Sequence, residues 1–291
     1  MTRPQCEELK KSGSETRPEI QQHPGDRDAE DDVTRLMSWT LTLIMLASLS
    51  GRVPCSDAAQ PASQFLDCHG VKIHYVAQGT GEPVILIHAL YSSANINWQL
   101  TGVFGELAKD HRVIAFDLPG HGRSDKPDQD LAYGLAIVDD IVALLDHLKI
   151  KKVHVVGYSI GGMIAGKFMA LHPERVKSGL VGGMGWFRAG TPLQRFWERA
   201  PGRDRGRVPP AFFKGVTEFA VTEDELKAIT GPVEVLVGDR DPVKQLYVTA
   251  LRRSRPDWPV VEIPRAGHVN CIMKPEFREQ IAAWVRKQSK P

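Results

Sequence analysis

Three side chains, far apart in the sequence, are of the types that together turn an alcohol into a nucleophile. Ser159 lies in Gly157-Tyr158-Ser159-Ile160-Gly161, with a glycine two residues to either side. A serine hydroxyl is a weak nucleophile and needs a neighbouring base; the base needs a third group to hold its tautomer. Asp241 follows the apolar run 233–237, and His268 follows the run 260–263. A carboxylate and an imidazole placed just beyond two strands would supply both needs. The chemistry of such a set is acyl transfer: attack on a carbonyl carbon, a covalent acyl-serine, and release by water. The bare five-residue motif also occurs by chance in unrelated chains, so the elements around it carry the argument.

Residues 153–156 are valines apart from His154, which reads as a buried strand. From Ile160 the apolar residues change period, and Ile160, Met163, Ile164, Phe168 and Leu171 recur at helical spacing. Ser159 therefore sits on a sharp strand-to-helix turn. A serine there takes strained backbone angles, and glycines on both sides remove the collisions that side chains would make. The helix behind it offers free N–H groups and a positive dipole end.

The rest of the chain supplies more elements of the same kind. Segments 65–69 and 71–76 read as a hairpin around Gly70, with Val71, Ile73 and Tyr75 alternating with Lys72 and His74. Runs 84–87, 113–116, 176–182, 233–237 and 260–263 read as further strands, the first two as strands covered on both faces. Helices are expected at 98–108, along the face Ile137, Ile141, Leu144, Leu145 and Leu148, along Val243, Leu246, Tyr247, Ala250 and Leu251, and along Phe277, Ile281, Trp284 and Val285. Strand–helix alternation of this kind predicts an α/β fold with a mostly parallel central sheet, helices on both faces and right-handed crossovers. Residues 63–185 and 231–291 would form that core. Residues 186–230 have no strong strand pattern and contain Pro192, Pro201, Pro209 and Pro210, so they read as an inserted lid of short helices.

Composition narrows the function. The 291 residues are 42% hydrophobic and 25% charged, ordinary for a globular protein with a sizeable core. A formal charge of +2 gives no argument for nucleic acid, and no motif supports it. Residues 1–36 are polar and read as a disordered or non-native extension. Residues 37–58 hold an apolar run, 39–49, too short to span a bilayer comfortably and suited to a secretory signal, with Ser56-Asp57-Ala58 offering small residues for cleavage. The charged tail in front is unusual for a signal, and a start at Met37 would remove it. The expectation is export to the periplasm or beyond; a membrane anchor through 37–50 and a cytoplasmic chain are the alternatives. Of four cysteines, Cys6 and Cys55 precede that cleavage point. Cys68 and Cys271 fit no zinc pattern and read as separate buried thiols, although export would permit a disulfide.

These motifs resemble those of α/β-hydrolase-fold proteins of the esterase type. The matching segments are His88-Ala89-Leu90, residues 117–125 (DLPGHGRSD), Gly157 to Gly162, Gly238 to Pro242, and Gly267-His268. The order Ser159, Asp241, His268 is the family's order. The resemblance implies that the acid is the third residue after Gly238, which selects Asp241 over Asp239; Asp239 is then a loop charge or a local cap. It implies His268 as the base, with His88 holding the oxyanion loop, His121 structural, His154 in the core and His172 at a helix end. It implies that the backbone N–H groups of Ile160 and Leu90 stabilise the oxyanion, and that no metal or organic cofactor is needed. Ala89 departs from the family's usual glycine, so either that loop is ordinary here or the oxyanion site is altered. Family dehalogenases and epoxide hydrolases need an aspartate where Ser159 stands. Serine-using peroxidases, C–C bond hydrolases, lactonases and a non-catalytic ligand-binding member remain as alternatives.

The expected partner is a small, largely apolar acyl substrate. Tyr91, Tyr158, Trp186 and Phe187 are candidates to line its pocket. Seven of the chain's 21 aromatics (Trp186, Phe187, Phe196, Trp197, Phe212, Phe213 and Phe219) fall in the lid segment, as a pocket wall or as the lid's own core. The Arg203-Asp204-Arg205-Gly206-Arg207 run reads as a solvated loop or a contact for an acidic substrate.

Overall fold

A computed structural model describes residues 61–191, 194, 195, 197 and 207–289. The expected extension 1–36, the apolar segment 37–58, Cys6, Cys55, Phe196 and most of the 203–207 arginine run lie outside these residues. Among the described residues no helix is long and apolar enough to cross a membrane.

Eight strands form one sheet in the order β1-β2-β4-β3-β5-β6-β7-β8. β1 (Ser63–Cys68) and β2 (Val71–Gln78) make the expected hairpin. Its two-residue turn, His69-Gly70, has positive φ at both positions, which matches the twist of the strands. β2 runs antiparallel to β4 (Arg112–Phe116). From β4 onward every pairing is parallel, through β3 (Pro83–Ile87), β5 (Val153–Tyr158), β6 (Val176–Gly182), β7 (Val233–Gly238) and β8 (Val260–Ile263).

The strands' alternation divides the core in two. Ile85, Ile87, Val153, Val155 and Val235 face one side; Val84, Leu86, Val156 and Leu236 face the other. On the first side lie α2 (Leu135–His147), α3 (Ile160–Leu171) and α6 (Thr249–Ser254). The second side is covered by α1 (Val103–Leu107) and α7 (Pro275–Gln288), the latter through Phe277, Ile281, Trp284 and Val285. Each such side chain buried from water is worth roughly 1.5–3 kcal/mol, so both faces hold the sheet firmly. Leu171, expected on the buried face of α3, is 40% exposed at the helix's last turn.

Two elements differ from expectation. The single helix expected over 98–108 is broken: a π-helical turn, Asn95–Gln99, is followed by α1, with Gly102 at φ +78° between them. The helix expected after Pro242 is likewise a π turn, Lys244–Val248, running into α6. Between β6 and β7 the chain forms α4 (Pro210–Val216) and α5 (Glu223–Ala228), and Arg188 pairs with Val221 in an isolated bridge. Cys68 belongs to the first core and Cys271 to the second; both are free, buried thiols.

Candidate functional site

β5 ends at Tyr158 and α3 begins at Ile160, so Ser159 is the whole turn. Its backbone, at φ +56° and ψ −119°, lies where a side chain costs about 1–3 kcal/mol. Three hydrogen bonds enforce it. Ser159 N–H donates to Gly182 O at 2.8 Å, and Gly162 and Met163 donate back to Ser159 O. The flanking glycines are obligatory. A Cβ on Gly157 would fall 2.1 Å from Gly161 O, and one on Gly161 would fall 2.2 Å from Ile87 O.

The structure brings Ser159, His268 and Asp241 into one hydrogen-bonded line. His268 Nε2 is 2.9 Å from Ser159 Oγ, and His268 Nδ1 is 2.8 Å from Asp241 Oδ2. The Asp241 side chain is wholly buried, and its other oxygen accepts from Val243 N–H at 3.0 Å. A fixed backbone donor therefore leaves Oδ2 free for the imidazole. Asp239 does something else: its two oxygens accept from the N–H groups of Arg265 and Ala266, which caps the loop bearing His268. Those bonds hold its carboxyl below the usual range.

The loop after β3 is fixed from beneath. His88 is fully buried; burial keeps its imidazole neutral by lowering its pKa. Neutrality lets it use both ring nitrogens, with Nδ1–H donating to Ala89 O at 2.7 Å and Nε2 accepting from Leu118 N–H at 3.0 Å. Ala89 N–H donates to Asn97 Oδ1. Ala89 does not sit at positive φ; Tyr91, at φ +59°, takes that conformation instead. The departure from glycine therefore imposes no backbone strain at position 89. Leu90 N–H has no hydrogen-bond partner among the described residues, and Ile160 carries the first N–H of α3, which has no acceptor within its own helix. Both belong to the segments that flank Ser159.

Of the pocket candidates, Trp186 and Phe187 line a small apolar cavity beside α3, together with Met163, Val181, Phe219 and Trp258. Tyr91 is half-buried, with the Arg207 guanidinium 5.2 Å from its ring centre. Tyr158 is a correction. Strand alternation turns it away from Gly157's side into the second core, where it is 2% exposed, packs edge-on to Phe277 and donates its hydroxyl to His268 O. Six of the seven aromatics of 186–230 are described, and all six are buried within the first core, so they are packing residues; Trp186, Phe187 and Phe219 also line the cavity. Lys167 of α3 reaches into this segment, donating to Ala220 O at 3.0 Å and pairing with Glu225 at 2.6 Å.

The remaining histidines are structural. His154 bonds Ser178 and Glu82 at the start of β5, and His172 is the C-cap residue of α3. His121 packs 5.3 Å from His88 and 4.9 Å from Phe212. Two supports had no sequence expectation attached. Asn97 lies one residue before the helix expected over 98–108. Asp117 accepts from Ala94, Arg123 and His74 and so ties β2 to both loops; its place at the end of β4 was the available signal.

The sequence profile of the alpha/beta hydrolase fold family matches residues 82–217. The dihydrolipoyllysine-residue acetyltransferase component of the acetoin cleaving system of Pseudomonas putida is 30% identical over 277 residues, covering 80% of this chain and 72% of that protein. An uncharacterized protein of Mycobacterium bovis is 37% identical over 123 residues, 42% of this chain; the match spans only 35% of that relative's length. A thermophilic esterase from Thermogutta terrifontis superposes with a TM-score of 0.66 at 26% identity, over 80% of this chain and 100% of that one.

Proposed function

This chain belongs to the alpha/beta hydrolase fold family, and we propose that it is a hydrolase that cleaves carboxylic esters or related acyl bonds of small apolar molecules through an acyl-serine. The observation that carries the reading is the unbroken line from Ser159 Oγ through His268 to the buried Asp241 carboxylate. Ser159 Oγ attacks the carbonyl carbon while its proton passes to His268 Nε2. The resulting alkoxide accepts from the N–H groups of Ile160 and Leu90, a contribution of roughly 3–4 kcal/mol per donor in such sites. Collapse expels the alcohol, which leaves with the proton from His268. Water then attacks the acyl-serine, again losing its proton to His268, and the carboxylic acid departs. Asp241 holds the Nδ1–H tautomer throughout and stabilises the imidazolium. Residues 186–230 act as a lid, placing the Trp186 and Phe187 face over an acyl or aryl group. Likeness to the thermophilic esterase supports the choice of ester.

A hydrolysis panel of aryl and alkyl esters, lactones and C–C cleavage substrates tests the assignment. The expected result is turnover highest on short or medium apolar esters and abolished in Ser159→Ala. Turnover confined to C–C substrates would move the reaction class, and hydrolysis unchanged in Ser159→Ala would remove the nucleophile.

A further inference from the structure

Nucleophile and base stand on different elements, Ser159 between β5 and α3 and His268 on the loop after β8. Their 2.9 Å contact depends on how those elements are registered. The 265–270 loop is held from its own side by Asp239, by Arg240 N–H donating to Ala266 O, and by Asn270 Oδ1 accepting from Gly267 N–H. None of these reaches the turn at Ser159. Tyr158 does. It immediately precedes the serine, and its hydroxyl donates to the backbone carbonyl of His268. Its ring lies 5.7 Å from the His268 imidazole at an interplanar angle of 30°, and is braced edge-on by Phe277 at 5.4 Å. Room for it comes from two missing side chains: a Cβ on Gly182 or Gly183 would fall 2.9 Å or 2.8 Å from its ring carbons. The Cys271 thiol, buried beside this hydroxyl, is pushed up to about 12 by burial and by the Asp241 carboxylate, and so stays protonated.

We propose that Tyr158 is a positioning residue whose hydroxyl, by holding the carbonyl of His268, sets the reach between base and nucleophile. The proposal rests on the serine-hydrolase reading above. Tyr158 faces the core opposite the cavity and acts only through His268. Losing the bond frees the loop that carries the base, so His268 spends less time within reach of Ser159. Acylation and deacylation both use His268, so both slow together: kcat falls and KM holds. A displacement well under an ångström in a reacting geometry lowers rate by about tenfold.

The test measures kcat and KM on the ester that the wild type turns over best. Tyr158→Phe is expected to lose about tenfold in kcat with KM within twofold of wild type. Phe277→Leu is the comparator, since it loosens the same packing without touching the hydroxyl; it is expected to lower Tm while keeping kcat within twofold. If Tyr158→Phe does not fold, 4-fluorophenylalanine at position 158 fills the hydroxyl's space without its donor, and 4-aminophenylalanine restores a donor. The first should reproduce the kcat loss and the second should recover most of it. Unchanged kcat in Tyr158→Phe or the fluoro variant, or a loss that merely tracks Tm as in Phe277→Leu, overturns the proposal. Wild type without serine-dependent turnover overturns the hydrolase reading instead, which keeps the two failures apart.

Discussion

Asp241→Asn separates chemistry from folding more cleanly than any other single change. One carboxylate oxygen accepts from Val243 N–H at 3.0 Å and the other from His268 Nδ1 at 2.8 Å, in a site closed to water. Asparagine offers one oxygen and one NH2. The Val243 N–H is a fixed donor, and leaving it facing another donor would cost about 1–3 kcal/mol. The oxygen therefore stays on Val243 and the NH2 turns to His268. The imidazole must then accept at Nδ1 and carry its proton on Nε2, facing Ser159 Oγ. That tautomer cannot take the serine proton. The expected loss in kcat is on the order of 10⁴, about 5.4 kcal/mol of barrier. Every hydrogen bond of the fold survives, so Tm should move by only about 2 °C. Asp239→Asn is the control, since Asp239 touches the His268 loop through backbone N–H groups and not the ring; its kcat should stay within about tenfold of wild type. Steady-state kinetics on an activated aryl ester, with thermal unfolding alongside, reads both quantities. Asp241→Asn within tenfold of wild type, or Asp239→Asn the more damaging of the two, would refute the tautomer argument.

Three further outcomes follow from the same structure. Gly157→Ala drives a methyl to 2.1 Å from Gly161 O, so it should cost about 2 kcal/mol and about 5 °C in Tm, read by calorimetry, and should displace the serine enough to lower kcat. Lys167→Met removes the contacts to Ala220 O and Glu225, so unfolding stability in urea should fall by about 2 kcal/mol and trypsin should cut 186–230 faster. His121 is buried with no partner for Nε2 among the described residues, and burial and the neighbouring His88 lower its pKa from 6.5 to about 3. The unfolded chain takes up this proton near pH 6.5 and the folded one only near 3, so stability falls as pH falls through that window. Between pH 7.5 and 5 the loss is about 2 kcal/mol from this residue; urea midpoints at the two pH values measure it, and His121→Asn should flatten the slope by that amount.

The sheet was legible because its strands are covered on both faces: runs such as 84–87 and 113–116 have no polar break to confuse them. That same property hid Tyr158. With apolar residues on both sides of β5, nothing in composition marks which side chain faces which core, and only the period of two places Tyr158 with Val156, opposite Val155. The positions of Ser159, Asp241 and His268 could be read because each lies just beyond the end of a strand, where chain order and glycine spacing survive as signals. Asn97 could not. Its partner is a backbone N–H eight residues earlier, and it sits in a π turn that Gly102 separates from α1, features that apolar spacing does not encode. The aromatics of 186–230 were open between wall and core because both need the same residue types; burial of all six described shows that they serve as core.

The central claim is that the hydroxyl at 159 is reactive because His268 and Asp241 stand behind it. Mass spectrometry of the folded protein after brief exposure to a fluorophosphonate measures that reactivity directly. The account predicts one adduct, mapped to the peptide containing Ser159, absent in Ser159→Ala and formed far more slowly in Asp241→Asn. An unmodified protein, or the same adduct in Ser159→Ala, would contradict it.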